Sequence, residues 1–229
     1  MTTARIALVA TLLGTMLALS PAATRADDAT AIPTDEAGRG HVGDADLTHA
    51  ADAPATTHAD DCRPHLAEWS LLLAGGVNPS NVIQYLALHA DFHFHLWDGA
   101  DRWFTDHNMT ARWIVEPWIA FVDDQHGIHK TESFEVGVSP LFGRLTFADW
   151  KVRPFIEGGE GIMYTDLRKQ RFGTPFNFSS QFGAGLEYQF RRDLTFTFAV
   201  RIRHMSNAGL ASSNPGVNTY FGLVGLTFR

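Results

Sequence analysis

The feature that most constrains this chain is a strict alternation of side chains near the C-terminus, from Leu194 to Asn207. The even positions hold Leu, Phe, Phe, Val, Ile, His and Ser, and the odd positions hold Thr, Thr, Ala, Arg, Arg, Met and Asn. Successive side chains on a strand point to opposite faces, so this stretch predicts a strand with one apolar and one largely polar face. The apolar face ends in His204 and Ser206, a base and a hydroxyl side by side.

Most of the chain beyond residue 65 repeats this pattern in strand-length segments separated by turn signals. The predicted strands are Glu68–Val77, Ile83–Trp97, Trp113–Asp123, Glu132–Leu145, Val152–Asp166, Phe176–Phe190, Leu194–Asn207 and Asn218–Arg229. Each is near or above the ~9–11 residues that a tilted membrane strand needs. A soluble barrel or sandwich would turn the apolar faces inward, whereas a transmembrane barrel turns them outward.

Several features favour the membrane alternative: the strand lengths, a secretion signal, the aromatic Phe228 and the basic turn at Arg191 and Arg192. We therefore predict an all-β fold, an eight-stranded antiparallel transmembrane β-barrel with a disordered N-terminal segment, in the cell outer membrane. With both ends in the periplasm, the seventh strand runs outward, and His204 and Ser206 face lipid at the rim of the outer leaflet. The connection 98–112 is unusually long for a periplasmic turn.

The N-terminal part of the chain is predicted to lie outside the barrel. Residues 1–26 combine Arg5, an apolar run too short to span a bilayer and small residues before a cleavage site, which is typical of a signal peptide. Residues 27–64 form an acidic, disordered linker, and its segment 27–61 holds nine acids and one base. The barrel, residues 65–229, is nearly neutral, so no basic field for nucleic acid is present. The single cysteine, Cys62, cannot form an intramolecular disulfide.

Nucleophilic chemistry is the function that the end of the seventh strand favours. An imidazole can take the proton of a serine hydroxyl, and residues two apart on a strand share a face. Asn218 opens the next strand, close to Ser206 in an antiparallel hairpin, and its amide can orient the histidine. Asn207 or the backbone donors up to Gly209 are candidates for an oxyanion hole.

These residues carry a resemblance to a known family. The stretch 204–209 (HMSNAG), followed by 214–218 (NPGVN) and a final strand, resembles the outer-membrane lipid A 3-O-deacylase (PagL-like) family. The resemblance implies an eight-stranded barrel that hydrolyses the ester-linked acyl chain at position 3 of lipid A in lipopolysaccharide, without metal or cofactor. The family histidine and serine match His204 and Ser206, and the family glutamate on the last strand falls on Asn218.

Other polar clusters leave alternatives open. Arg168, Lys169 and Arg171 lie in a predicted surface loop, where they would either pair with lipid A phosphates or form a solvated charged loop. The one-face set His89, Asp91, His93 and His95 has spacing suited to zinc, but filling of the lumen by polar side chains is favoured. A non-catalytic structural or adhesive barrel is the alternative to an esterase. The sequence leaves room for a homodimer without predicting one.

Overall fold

The computed structural model describes residues 65–229 except 80–81, 125–130, 148–149 and 168–172. Eight antiparallel strands pair in chain order, and the last strand pairs with the first to close the barrel. The strands are β1 (Leu66–Val77), β2 (Ile83–Phe94), β3 (Met109–Asp124), β4 (Thr131–Phe147), β5 (Val152–Thr165), β6 (Phe176–Arg191), β7 (Leu194–Ser206) and β8 (Val217–Phe228). The prediction of an eight-stranded barrel is confirmed. The predicted signal peptide and acidic linker lie outside the described residues.

The two faces of β7 are divided as the alternation predicts. The apolar side chains Phe196, Phe198, Val200 and Ile202 point outward and are 44–55% exposed, whereas Arg201 on the other face is 2% exposed. An apolar exterior around a polar interior is the arrangement that suits a barrel in hydrocarbon, where closed strands pair every backbone donor and acceptor. Among the residues that the structure describes, no helix has the length and hydropathy of a membrane span.

The two ends of the barrel differ. The connections β1–β2, β3–β4, β5–β6 and β7–β8 lie at one end, here called the loop end. The opposite end, here called the terminal end, carries the start of β1, the end of β8 and the remaining connections. His204 and Ser206 therefore lie near the loop end.

The middle of the lumen is filled by a buried network of ion pairs. Arg201 donates to Glu116 at 2.6 Å and to Glu157 at 2.7 Å, and Arg144 donates to Glu157 at 2.8 Å and to Glu187 at 3.1 Å. Buried charges are tolerated only when they are paired and hydrogen-bonded, and here each guanidinium joins acids from different strands. The network thus holds the barrel wall together from inside.

The lumen towards the loop end is packed by apolar and aromatic side chains. The guanidinium of Arg203 lies 4.9–5.0 Å from the ring centroids of Tyr85, Trp118 and Phe221 and donates to Glu135 at 2.7 Å. Met205, which lies between His204 and Ser206 in sequence, is fully buried in the same cluster. The inner face of β7 is therefore anchored directly behind the two candidate catalytic residues.

The long connection between β2 and β3 contains a helix that the alternation did not predict. Helix α1 (Asp98–Asp106) follows β2, which ends at Phe94 rather than at the predicted Trp97. His95 is consequently outside the strand, where its Nδ1 lies 2.7 Å from Asp101 Oδ2. The carboxylate of Asp101 also lies 3.7 Å from Arg112, so ionic contacts fix the helix against β3.

The other members of the predicted histidine set face the lumen. His93 Nε2 is hydrogen-bonded to Ser70 Oγ at 2.9 Å, and His89 Nδ1 lies 3.4 Å from Glu116. Within the described part of the chain, no group of three or more histidine, cysteine or acidic side chains has an arrangement that could hold a metal ion.

Candidate active site on the outer face of the barrel

The candidate nucleophile and base lie on the outer face of β7. His204 is exposed and Ser206 is half-buried, while the intervening Met205 points into the lumen. Both polar side chains therefore project from the lipid-facing wall, next to the loop that connects β7 to β8. In the described structure Ser206 Oγ has no hydrogen bond to His204, as is common before substrate closes such a contact.

Asn218 is the direct partner of His204 across the β7–β8 pair. The distance from His204 Nδ1 to Asn218 Oδ1 is 2.7 Å. A carboxamide oxygen only accepts hydrogen bonds, so this contact assigns the ring proton to Nδ1. Nε2 of the neutral ring is then unprotonated and available to accept a proton from a hydroxyl.

Gly216 provides the space in which the imidazole lies. It has a left-handed backbone, with φ +62°, and immediately precedes Val217, which pairs with Met205 in the β7–β8 hairpin. A Cβ atom added at Gly216 would lie 2.9 Å from Cε1 and 3.4 Å from Nε2 of His204. The absence of a side chain therefore lets the ring lean towards the loop end, on the side where Ser206 lies.

We predict that Gly216→Ala lowers kcat for ester hydrolysis by about tenfold or more, because small misplacements of a catalytic group have large kinetic costs. Gly173→Ala is the matched control: φ is +67° and the added Cβ would lie 2.7 Å from Ala211 Cβ, but it does not meet His204. Steady-state kinetics of both folded variants make the measurement. Equal losses in the two variants would show that loop strain, and not the position of the imidazole, is responsible.

The predicted oxyanion donors are engaged within the β7–β8 loop. The Asn207 side chain is buried; its Nδ2 donates to Ser213 O and its backbone N–H donates to Asn214 Oδ1, both at 2.9 Å. The Gly209 N–H donates to Asn207 Oδ1, also at 2.9 Å. Asn207 thus organises this loop, since each of these three nitrogens donates to an oxygen within it. The assignment of Asn207 and Gly209 stays a prediction.

The predicted phosphate-binding residues, Arg168, Lys169 and Arg171, lie outside the described residues. Their place relative to His204 and Ser206 is therefore a prediction only.

An apolar groove runs along the outer wall beside the site, and the sequence analysis missed it. It has a volume of about 590 Å³ and is lined by residues of β1, β6, β7 and β8, among them Gly75, Gly222, Val200, Phe182, Ile202 and Tyr220. Gly75 and Gly222 are paired across the closure of the barrel, and an added Cβ at either one would meet nothing within 4 Å. Ile202 and Tyr220 form the outward pair next to His204 and Asn218, so the groove begins at the site itself.

Fold and site together define an outer-membrane β-barrel with a candidate serine hydrolase centre on its lipid-facing wall. Comparison with known proteins gives the family. The sequence model of the family described as Lipid A 3-O-deacylase (PagL) matches residues 84–227, and the chain belongs to that family. It is accordingly an ester hydrolase of the outer membrane.

Two individual proteins illustrate the similarity. Lipid A deacylase PagL of Pseudomonas aeruginosa (strain PAO1) is 36% identical over 129 residues, which are 54% of this chain and 69% of that protein. The crystal structure of the outer membrane enzyme PagL superposes with a TM-score of 0.55 and 23% identity, covering 68% of this chain and 97% of that one. The structural match supports the fold.

Proposed function

We propose that this protein removes the ester-linked hydroxyacyl chain at position 3 of lipid A, with Ser206 as nucleophile and His204 as general base. The observation that carries the proposal is the 2.7 Å contact between His204 Nδ1 and Asn218 Oδ1, on the same outward face as Ser206. It leaves Nε2 free to accept the hydroxyl proton. The family match supports lipid A as the substrate.

The chemistry follows from these three residues. His204 Nε2 takes the proton of Ser206 Oγ as the oxygen attacks the ester carbonyl carbon, and the imidazolium then returns the proton to the departing sugar oxygen. Water, deprotonated by the same nitrogen, hydrolyses the acyl-enzyme and releases a fatty acid. Asn218 holds the ring tautomer, but a neutral amide stabilises the imidazolium less than a carboxylate does.

The position of the site supports a lipid substrate in the outer leaflet. We infer that the terminal end, which carries both ends of the barrel sequence, faces the periplasm, so the loop end faces the cell surface. The ester can then reach Ser206 from the plane of the membrane without leaving the leaflet. Arg168, Lys169 and Arg171 are proposed to contact the phosphates of lipid A from the β5–β6 loop. All groups in the scheme come from one chain, so the proposal does not depend on a homodimer.

The groove beside the site supports an acyl substrate. Its lining is almost entirely apolar, and it starts at Ile202 and Tyr220, directly below His204 and Asn218. An acyl chain lying along it would keep contact with apolar surface from the ester to its end. We infer that the chain to be cleaved lies in this groove, where the outward faces of Gly75 and Gly222 leave room for it.

Mass spectrometry of lipid A from cells that express the chain tests the proposal. We expect the loss of one ester-linked hydroxyacyl group, assigned to position 3 by tandem fragmentation, and no loss with Ser206→Ala. Loss of a different chain would contradict the positional assignment. Unchanged lipid A in cells whose outer membrane contains the folded wild-type barrel would support the non-catalytic alternative.

A further inference from the structure

A carboxylate in the middle of strand β5 faces outward from the barrel. Glu160 is exposed on the lipid-facing side, where the outward residues Leu141 and Ile162 beside it are apolar and strongly exposed. A charged side chain on this surface is unfavourable, to a degree that depends on its depth. An ionisable residue in such a place is therefore expected to have a functional partner.

Glu160 lies in the same row across the barrel wall as the candidate catalytic residues. The strand register pairs Glu160 with Ser180, Ser180 with His204, and His204 with Asn218. Neighbouring strands are about 4.8 Å apart, so Ser180 is next to His204 and Glu160 is roughly 10 Å from it along the row. The outward residues on either side of Ser180 on β6 are Phe178 and Phe182. One polar row thus crosses an otherwise apolar surface.

The fold itself makes little use of this carboxylate. Among the described residues, Glu160 accepts a hydrogen bond from Ser180, whose Oγ donates to Oε2 at 2.7 Å. By contrast Glu157, three residues earlier and inside the lumen, pairs with both Arg144 and Arg201. The serine thus fixes one carboxylate oxygen, and Oε1 remains able to accept a donor from outside the barrel.

We propose that Glu160, oriented by Ser180, is a substrate-positioning residue that accepts a hydrogen bond from an N–H or O–H of the acylated amino-sugar headgroup. This inference rests on the proposed function, because the amide and hydroxyl groups of such a sugar lie close to the ester that Ser206 attacks. A carboxylate also repels phosphate, so the group that donates to Glu160 is an N–H or O–H of the sugar and not a phosphate.

A comparison of two esters separates positioning from catalysis. Lipid A in mixed detergent micelles carries the headgroup, and a short-chain p-nitrophenyl ester lacks it. We expect Glu160→Ala to lower kcat/KM for lipid A by about tenfold or more, mainly through KM, which is the scale of a lost charge-assisted hydrogen bond. Turnover of the nitrophenyl ester should change less than about twofold, because its hydrolysis makes no headgroup contact.

Two further variants sharpen the comparison. Glu160→Gln keeps an acceptor oxygen, so its KM should lie between those of the wild type and Glu160→Ala. Glu132→Ala removes another outward acid, at the loop end of β4 and away from the row, and should leave both activities unchanged. Heat-dependent migration in gel electrophoresis confirms that each barrel is folded.

Three results would overturn the inference while leaving the proposed substrate in place. Equal losses on both esters would show that Glu160 acts on the catalytic groups or on the fold. Unchanged kinetics on lipid A would show that Glu160 has no role. A cation site would be shown if Mg²⁺ raised the lipid A activity of the wild type but not that of Glu160→Gln, and if Glu160→Gln were as poor as Glu160→Ala. A wild-type barrel that cleaves the nitrophenyl ester but leaves lipid A intact would instead refute the proposed substrate, and the headgroup contact with it.

Discussion

His204→Ala, Ser206→Ala and the double variant are expected to fall to the same residual kcat, on the order of 10⁴-fold below the wild type, since a nucleophile and its base act as a unit. Either substitution removes the proton transfer that makes the serine hydroxyl reactive, so the second adds little. Because both side chains face outward, neither change disturbs the packed lumen behind β7. Kinetics of the purified barrel on a p-nitrophenyl ester measure the three rates.

Asn218 variants provide a graded comparison for this result. Asn218→Ala should cost less than either of the other changes, because the ring loses an orienting contact but keeps its basic nitrogen. Asn218→Glu should raise kcat, since a carboxylate stabilises the imidazolium that an amide supports only weakly. If His204→Ala kept more than about a tenth of the wild-type rate, a different group would have to serve as the base.

Arg201→Met is expected to lower the free energy of unfolding by about 3–5 kcal/mol, because removal of one partner leaves buried charge uncompensated. The Arg201 side chain is fully buried, and its guanidinium lies within 3.0 Å of oxygens of both Glu116 and Glu157. Methionine fills similar volume without a charge, so most of the loss comes from the stranded carboxylates. Urea unfolding in lipid vesicles, followed by tryptophan fluorescence, gives the value.

Two matched variants test this interpretation of the lumen. Arg201→Met combined with Glu116→Gln should recover part of the lost stability, since one of the stranded charges is removed as well. Arg229→Met breaks an ion pair with Glu68 at the terminal end, where the arginine is 33% exposed, and should cost less than about 1 kcal/mol. A single Arg201→Met variant as stable as the wild type would show that the network is not what holds the strands together.

The sequence predicted those parts of the structure that follow from local alternation. A period of two assigns each side chain to one face of its own strand, so the apolar exterior, the arginines in the lumen and the outward direction of His204 and Ser206 were all predictable. The contact between His204 and Asn218 was within reach as well, because the two residues lie on strands joined by one hairpin.

The features that were missed depend on relations between distant strands. The groove exists because Gly75 on the first strand meets Gly222 on the last, and only closure of the barrel brings them together. The row from Glu160 to His204 requires the register of two successive strand pairs, which alternation does not fix. Helix α1 was missed because the predictions rest on strand alternation, and residues 98–106 do not alternate. The hydrogen bonds that engage the donors of Asn207 form within the loop itself, and alternation does not predict them.

We propose Ser206, activated by His204 on the lipid-facing wall, as the nucleophile. Treatment of the folded barrel with a fluorophosphonate, followed by tandem mass spectrometry of its peptides, tests this directly. We predict one adduct, on Ser206, that is absent from His204→Ala. An adduct on another residue, such as Ser180, or ester turnover by a barrel that takes up no label, would contradict the claim.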